Sequence, residues 1–170
     1  MVAYVWTCSC CGRAFDELPT CWSVGQAPAS VYAIPEGQRD ARVLMNADLC
    51  VIDDENFFIR GHVEIPVIGS ATPFIWNVWS SLSRTSYDVM IGAWEDEDRE
   101  RQGPFFGWLN SDLPYEPNTL ALKTNVHVRP RGTVPFFEIE PTDHPLAVEQ
   151  RTGVTIERVV EIAELFLPKH

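Results

Sequence analysis

The sequence predicts an α+β fold: one domain over residues 1–170, with a mostly antiparallel sheet flanked by helices and a cysteine-rich knuckle at its N-terminus. Three observations carry this. Residues 57–67 and 119–129 each alternate apolar and polar side chains with a period of two, the mark of a strand with one buried face. Short turns rich in Asp, Asn, Gly and Ser separate the strand candidates, which favours antiparallel neighbours. Helical spacing with capping residues recurs at 83–94 and near the C-terminus.

Along the chain, residues 1–21 form the cysteine-rich segment, 48–140 the sheet region and 143–167 the C-terminal helices. Pro28 and Pro35 break residues 27–41 into loop, with a short helix expected over 36–44. Strands are expected at 49–52, 57–67 and 74–82. Phe57, Ile59, Gly61, Val63, Ile65 and Val67 share one face of the second strand. Phe58, Arg60, His62, Glu64 and Pro66 share the other. Ser83 or Thr85 caps a helix over SRTSYDVMIGAW, and the acidic run 95–100 reads as a solvated loop. Residues 105–109 make a short apolar strand.

In the long strand expected at 119–129, Leu120, Leu122, Thr124, Val126 and Val128 face the core, and Ala121, Lys123, Asn125, His127 and Arg129 face away. A strand at 134–140 contains Pro135, which suits an edge or a strand start. Pro145 opens a helix that Gly153 ends, and Thr155 caps the last helix, which Pro168 stops.

Composition narrows the function classes. The 170 residues carry a formal net charge of −11, so phosphate backbones and anionic membranes are repelled, and nucleic acid and membrane are not expected partners. A basic protein partner is the complementary expectation. No apolar run approaches the ~20 residues that span a bilayer. The opening MVAYVWTCSCCGRAF has no basic start followed by an apolar core, which places the chain in the cytoplasm.

Three groups of residues are candidates for chemistry. Cys8 and Cys11 have C-x2-C spacing followed by Gly12, which suits two corners of a zinc tetrahedron. Cys50, Cys21 or a histidine would have to complete it. The competing reading is thiols packed without metal, with a redox pair as a weaker third. The second group is the polar face of the long strands: Arg60, His62 and Glu64 on one, Lys123, Asn125, His127 and Arg129 on the other. An imidazole beside a carboxylate can move protons near neutral pH, but a solvent-facing antiparallel sheet shows the same alternation. The third is His144, between the capping residues Thr142 and Asp143 and the stiff Pro145. There a structural hydrogen bond is expected before catalysis. The aromatic segments FIWNVW and PFFGWL read as core.

The runs DLCVIDDENFFIRGHVEIPV, WNVWSSLS, FGWL, LKTNVHVRP and EPTDHPLAVEQ together resemble the bacterial family known as domain of unknown function 2199. The resemblance extends from Cys8-x2-Cys11-Gly12 to the last helix and implies a compact bacterial cytosolic protein with no assigned activity. That family's usual opening has a histidine a few residues after C-x2-C-G, where this chain has Phe15. Two functional expectations come from the residues themselves. One is a non-catalytic binding protein, with or without a zinc brace, that has a protein partner, for example a toxin-neutralising immunity protein. The other is a hydrolase using His62, His127 or His144 with Glu64 or Asp143.

Overall fold

The computed structural model describes residues 5–9 and 12–167. Alternation does what pleated geometry requires. In β6 (Asn56–Ile65), Phe57, Ile59, Gly61, Val63 and Ile65 are buried on the inner face. In β7 (Phe74–Leu82), Phe74, Trp76, Val78, Ser80 and Leu82 do the same opposite them. The two strands pair antiparallel over their whole length, from Phe57 opposite Leu82 to Ile65 opposite Phe74.

The remaining strands assemble around this hairpin. The described residues include ten strands and five helices. β1 (Trp6–Thr7) and β2 (Ala14–Phe15) make a small separate hairpin. β3 (Cys21–Ser23) lies parallel to β7 on the sheet's outer edge. β4 (Val43–Met45) pairs with β5 (Leu49–Ile52), which pairs with the first half of β6. The second half of β6 is met by β10 (Phe136–Ile139) in parallel, and β10 is flanked by β9 (Lys123–His127) and then β8 (Phe105–Trp108), both antiparallel. The sheet then curls, because a bridge between Leu109 and Ser80 brings the chain after β8 back to β7. This α+β architecture with a mostly antiparallel sheet is the one expected from the sequence.

Helices close the inner side. Ser83 caps α3 (Arg84–Gly92) by accepting from the Ser86 amide, as expected. α4 (Pro145–Thr152) begins with proline and ends at Gly153, whose φ of 81° is easy only for glycine. Thr155 caps α5 (Ile156–Phe166), which buries Val159 and Ile162 in the main core. α1 (Ala29–Tyr32) and α2 (Glu36–Arg42) lie on the opposite side. There Val31 and Ile34 cover Phe58, Trp79 and Cys50 in a second, smaller cluster.

Four sequence expectations need correction. The helix over 36–44 stops at Arg42, and Val43 and Leu44 belong to β4, which β5 recruits by backbone pairing. The strand over 119–129 begins only at Lys123. Ala121 adopts φ 63°, a left-handed conformation that breaks extension, while the buried Thr119 hydroxyl ties the preceding turn by donating to Ser111 O and accepting from Leu113 N. Leu120 is consequently exposed and Leu122 only half-buried, whereas Val63, Ile65 and Val126 are fully buried as expected. The strand over 57–67 ends at Ile65, and Val67 instead bridges Val154. The acidic run is solvated except for Arg99, which is buried and donates to the carbonyls of Trp94, Arg129, Pro130 and Thr133.

Candidate functional site

The outward face of the sheet gathers the polar rows read from the sequence, with one strand between them. Arg60, His62 and Glu64 stand on β6, and Asn125 and His127 on β9, with Arg129 just beyond its end. Between them, β10 presents Phe136, opposite both His62 and His127 in register. The Arg129 guanidinium lies over the Phe136 ring, 5.3 Å from its centre, and reaches across to Glu64. It grips both carboxylate oxygens, at 3.0 and 2.8 Å. Such a two-pronged pair, with each side chain only about a quarter exposed, holds Glu64 in a structural role.

Arg60 is committed as well. Its Nε donates to Ala47 O at 2.7 Å, one terminal nitrogen to the Asp48 carboxylate at 3.0 Å, and the other to Asn77 Oδ1 at 2.9 Å. It thereby pins the β4–β5 turn to the sheet at the point where β6 exchanges β5 for β10. His62 sits just past that junction. Burial, then the neighbouring Arg60 and Arg129 charges, hold its pKa below the ordinary histidine value, with Glu64 opposing them. His62 is therefore neutral at pH 7.

His127 and Glu138 approach to 3.4 Å on exposed surface. The hollow beside Glu64, about 380 Å³ in volume, is lined by Pro66, Val67, Ser70, Ala71, Pro73, Phe136 and Gln150 and by none of the three histidines. The outer face thus brings His62, His127 and Glu64 into one neighbourhood without pairing either imidazole to Glu64, and its imidazole–carboxylate contact, His127 with Glu138, lies on exposed surface.

His144 lies elsewhere. It is the N-cap of α4, and its Nδ1 accepts from the Leu146 amide at 3.1 Å. That fixes the proton on Nε2, which donates to Pro117 O at 2.8 Å. Both ring nitrogens are used, and the ring ties α4 to the loop after β8, not to the sheet. His144→Ala is expected to lower stability by about 1–3 kcal/mol, because it leaves a helix amide and a carbonyl without partners. Thermal or denaturant melting checks this, and an unchanged midpoint would remove the structural role.

The cysteines separate. Cys8 is buried with Trp6 and Ala163, and its turn is closed by Gly12 N donating to Cys8 O at 2.9 Å. Glu164 clasps the same turn by accepting from the Ser9 amide and hydroxyl at 2.7 and 2.8 Å. Cys11, like Cys10, lies outside the described residues. Phe15 stacks on Trp6 with ring centres 4.7 Å apart. Cys50 belongs to the other cluster, beneath Phe58 and Trp79, where burial pushes its thiol up to about 11. Cys21 is exposed on β3. Among the described residues, no group of three or more His, Cys, Asp or Glu side chains is placed to hold a metal ion.

The aromatic segments depart from the sequence expectation at one strand. FIWNVW is core, but in FFGW the outward side chains Phe106 and Trp108 remain 50% and 44% exposed. They meet edge to face, with centroids 5.1 Å apart. They border an open hollow of about 470 Å³ that also takes in Glu55, Asn56, Phe58, Ser81, Ser83 and Ser86. Gly107 between them must lack a side chain, since a Cβ there would run into the Ser81 carbonyl and the Ser80 hydroxyl. The available signal was the strand's apolar character on both faces, which demands a cover that the described residues do not supply.

The family described as an uncharacterized protein conserved in bacteria, domain of unknown function 2199, matches residues 7–154. The chain belongs to this family. No curated protein and no solved structure matches it. In this DUF2199 protein the matched stretch runs from Thr7, beside the Cys8 turn, to Val154 and takes in the whole main sheet. α5 follows the matched stretch, yet it supplies Val159 and Ile162 to the same core. Among the described residues no helix is long and apolar enough to cross a membrane.

Proposed function

We propose that this protein is a non-catalytic cytoplasmic binding protein with a basic protein partner, as a toxin-neutralising immunity protein would be. The observation that carries this reading is the commitment of the polar sheet face to itself. Glu64 is gripped by Arg129, and Arg60 is spent on a turn and a neighbouring amide; away from that face, His144 caps a helix. A hydrolase needs a free acid–base pair at the mouth of an enclosed site; Glu64 is not free, and the His127–Glu138 contact lies on exposed surface. Exposed aromatics on a rigid strand, by contrast, are what interfaces use as anchors. The net charge of −11 favours encounter with a basic surface.

Zinc on Cys8 and Cys11 enters this reading only as a brace for the N-terminal turn. Metal analysis of protein purified without chelator tests it: a stoichiometry near one supports the brace, and one near zero removes it.

The functional test has two arms. Affinity capture from the native host, followed by titration with the purified candidate, should yield a basic protein that binds saturably and more weakly as salt rises. A panel of ester, phosphoester, amide and glycoside substrates should show no turnover that depends on His62 or His127. Turnover lost in His62→Ala or His127→Ala would replace the binding reading with the hydrolase one.

A further inference from the structure

We infer that the hollow between the β5–β6 turn and β8 is where the partner docks, and that it takes an arginine or lysine side chain of that partner. This rests on the binding reading above and adds a surface and a chemistry to it. Three observations lead there. Phe106 and Trp108 are both about half exposed and point outward from a strand that cannot shift, because Gly107 is pressed against Ser80 and Ser81 and the Trp108 amide donates to Ser81 Oγ at 2.9 Å. Among the described residues, Glu55 is the sole charged one lining the hollow, and its exposed carboxylate has no hydrogen-bond or ion-pair partner there. Finally, two rings beside the hollow each carry one of the protein's own cations, the Lys123 ammonium 5.9 Å from the Trp108 ring centre and the Arg84 guanidinium 4.9 Å over Phe57, while the exposed Phe106 ring that packs against Trp108 carries none among the described residues and is left for an incoming one.

The parts make a consistent receptor. Aromatic faces carry negative charge density and bind the flat guanidinium or the ammonium by cation–π attraction. The unpaired Glu55 carboxylate supplies the counter-charge at one end. The hydroxyls of Ser83 and Ser86 line the same hollow, and each can accept from an N–H donor. An acidic or purely apolar side chain would leave Glu55 repelled or desolvated without compensation.

The test uses the full chain and a small probe, so that general attraction to an acidic surface does not dominate. Acetylated, amidated Gly-Arg-Gly is titrated against the labelled protein by two-dimensional NMR, with Gly-Gln-Gly as the neutral counterpart. Trp108→Leu identifies the Trp108 indole signal. Expected are saturable shifts at that indole and at the amides of Glu55, Ser83 and Gly107, none with the glutamine peptide, and affinity reduced about three- to tenfold in Trp108→Leu and in Glu55→Gln. Glu157→Gln, which removes one negative charge on α5, should leave the affinity unchanged. Shifts scattered over the acidic surface, or equal affinity in all three variants, would overturn the inference. A captured partner that binds Phe106→Ala and Trp108→Leu as tightly as the wild type would also overturn it while leaving the binding reading intact. Failure to find any partner would remove that reading itself.

Discussion

Replacing Phe137 by alanine is expected to lower folding stability by about 3–5 kcal/mol, the cost of deleting a fully buried aromatic ring. Phe137 stands on the inner face of β10, and its ring lies over the backbone of Gly61 on β6. A Cβ built on Gly61 would run into it. Gly61→Ala should therefore cost about 1–3 kcal/mol by itself through overpacking. The two losses should not add. In the double variant the new methyl enters space the ring has left, so the Gly61 penalty shrinks by roughly 1 kcal/mol or more. Denaturant melts of the four proteins measure the cycle. Strict additivity would mean that the ring does not lie over Gly61.

The second large effect is expected at Glu149. The Tyr115 hydroxyl donates to one Glu149 oxygen at 2.6 Å and accepts from Trp76 Nε1 at 3.0 Å. Arg158 Nε donates to the other Glu149 oxygen at 2.9 Å, and its guanidinium lies over the Tyr115 ring. The chain Trp76–Tyr115–Glu149–Arg158 thus links β7, the loop after β8, α4 and α5. Burial, the Glu149 charge and its hydrogen bond together raise the Tyr115 pKa far above the ordinary phenol, so the hydroxyl stays protonated. Glu149→Ala strands a buried phenol and a half-buried arginine and should cost about 2–4 kcal/mol. Glu149→Gln keeps an acceptor for Tyr115 and loses only the charge, so it should cost less. If alanine and glutamine melt alike, the bond to Tyr115 contributes nothing and the ion pair alone matters.

Much of the fold was legible because local chemistry and global packing agree. The alternation in β6 and β7, the caps at Ser83 and Thr155, and the stop at Gly153 each name a backbone conformation that the tertiary structure keeps. Where sequence reading failed, a distant partner decided. Val43 and Leu44 fit a helix by spacing but pair with β5 across a turn. Residues 119–122 alternate like a strand but are bent by the Ser111 and Leu113 contacts of Thr119.

The candidate site divides in the same way. The sequence by itself determined that Arg60, His62 and Glu64 share one face and that His144 sits at a helix start, since strand parity and proline stiffness are local properties. Only the tertiary structure decided that β10 stands between the two polar rows, that Arg129 spends Glu64, and that Phe106 and Trp108 are left uncovered. Strand order, ion pairing and coverage depend on which remote segment arrives beside a residue. That is fixed by the packing free energy of the whole chain, and no short window of sequence contains it.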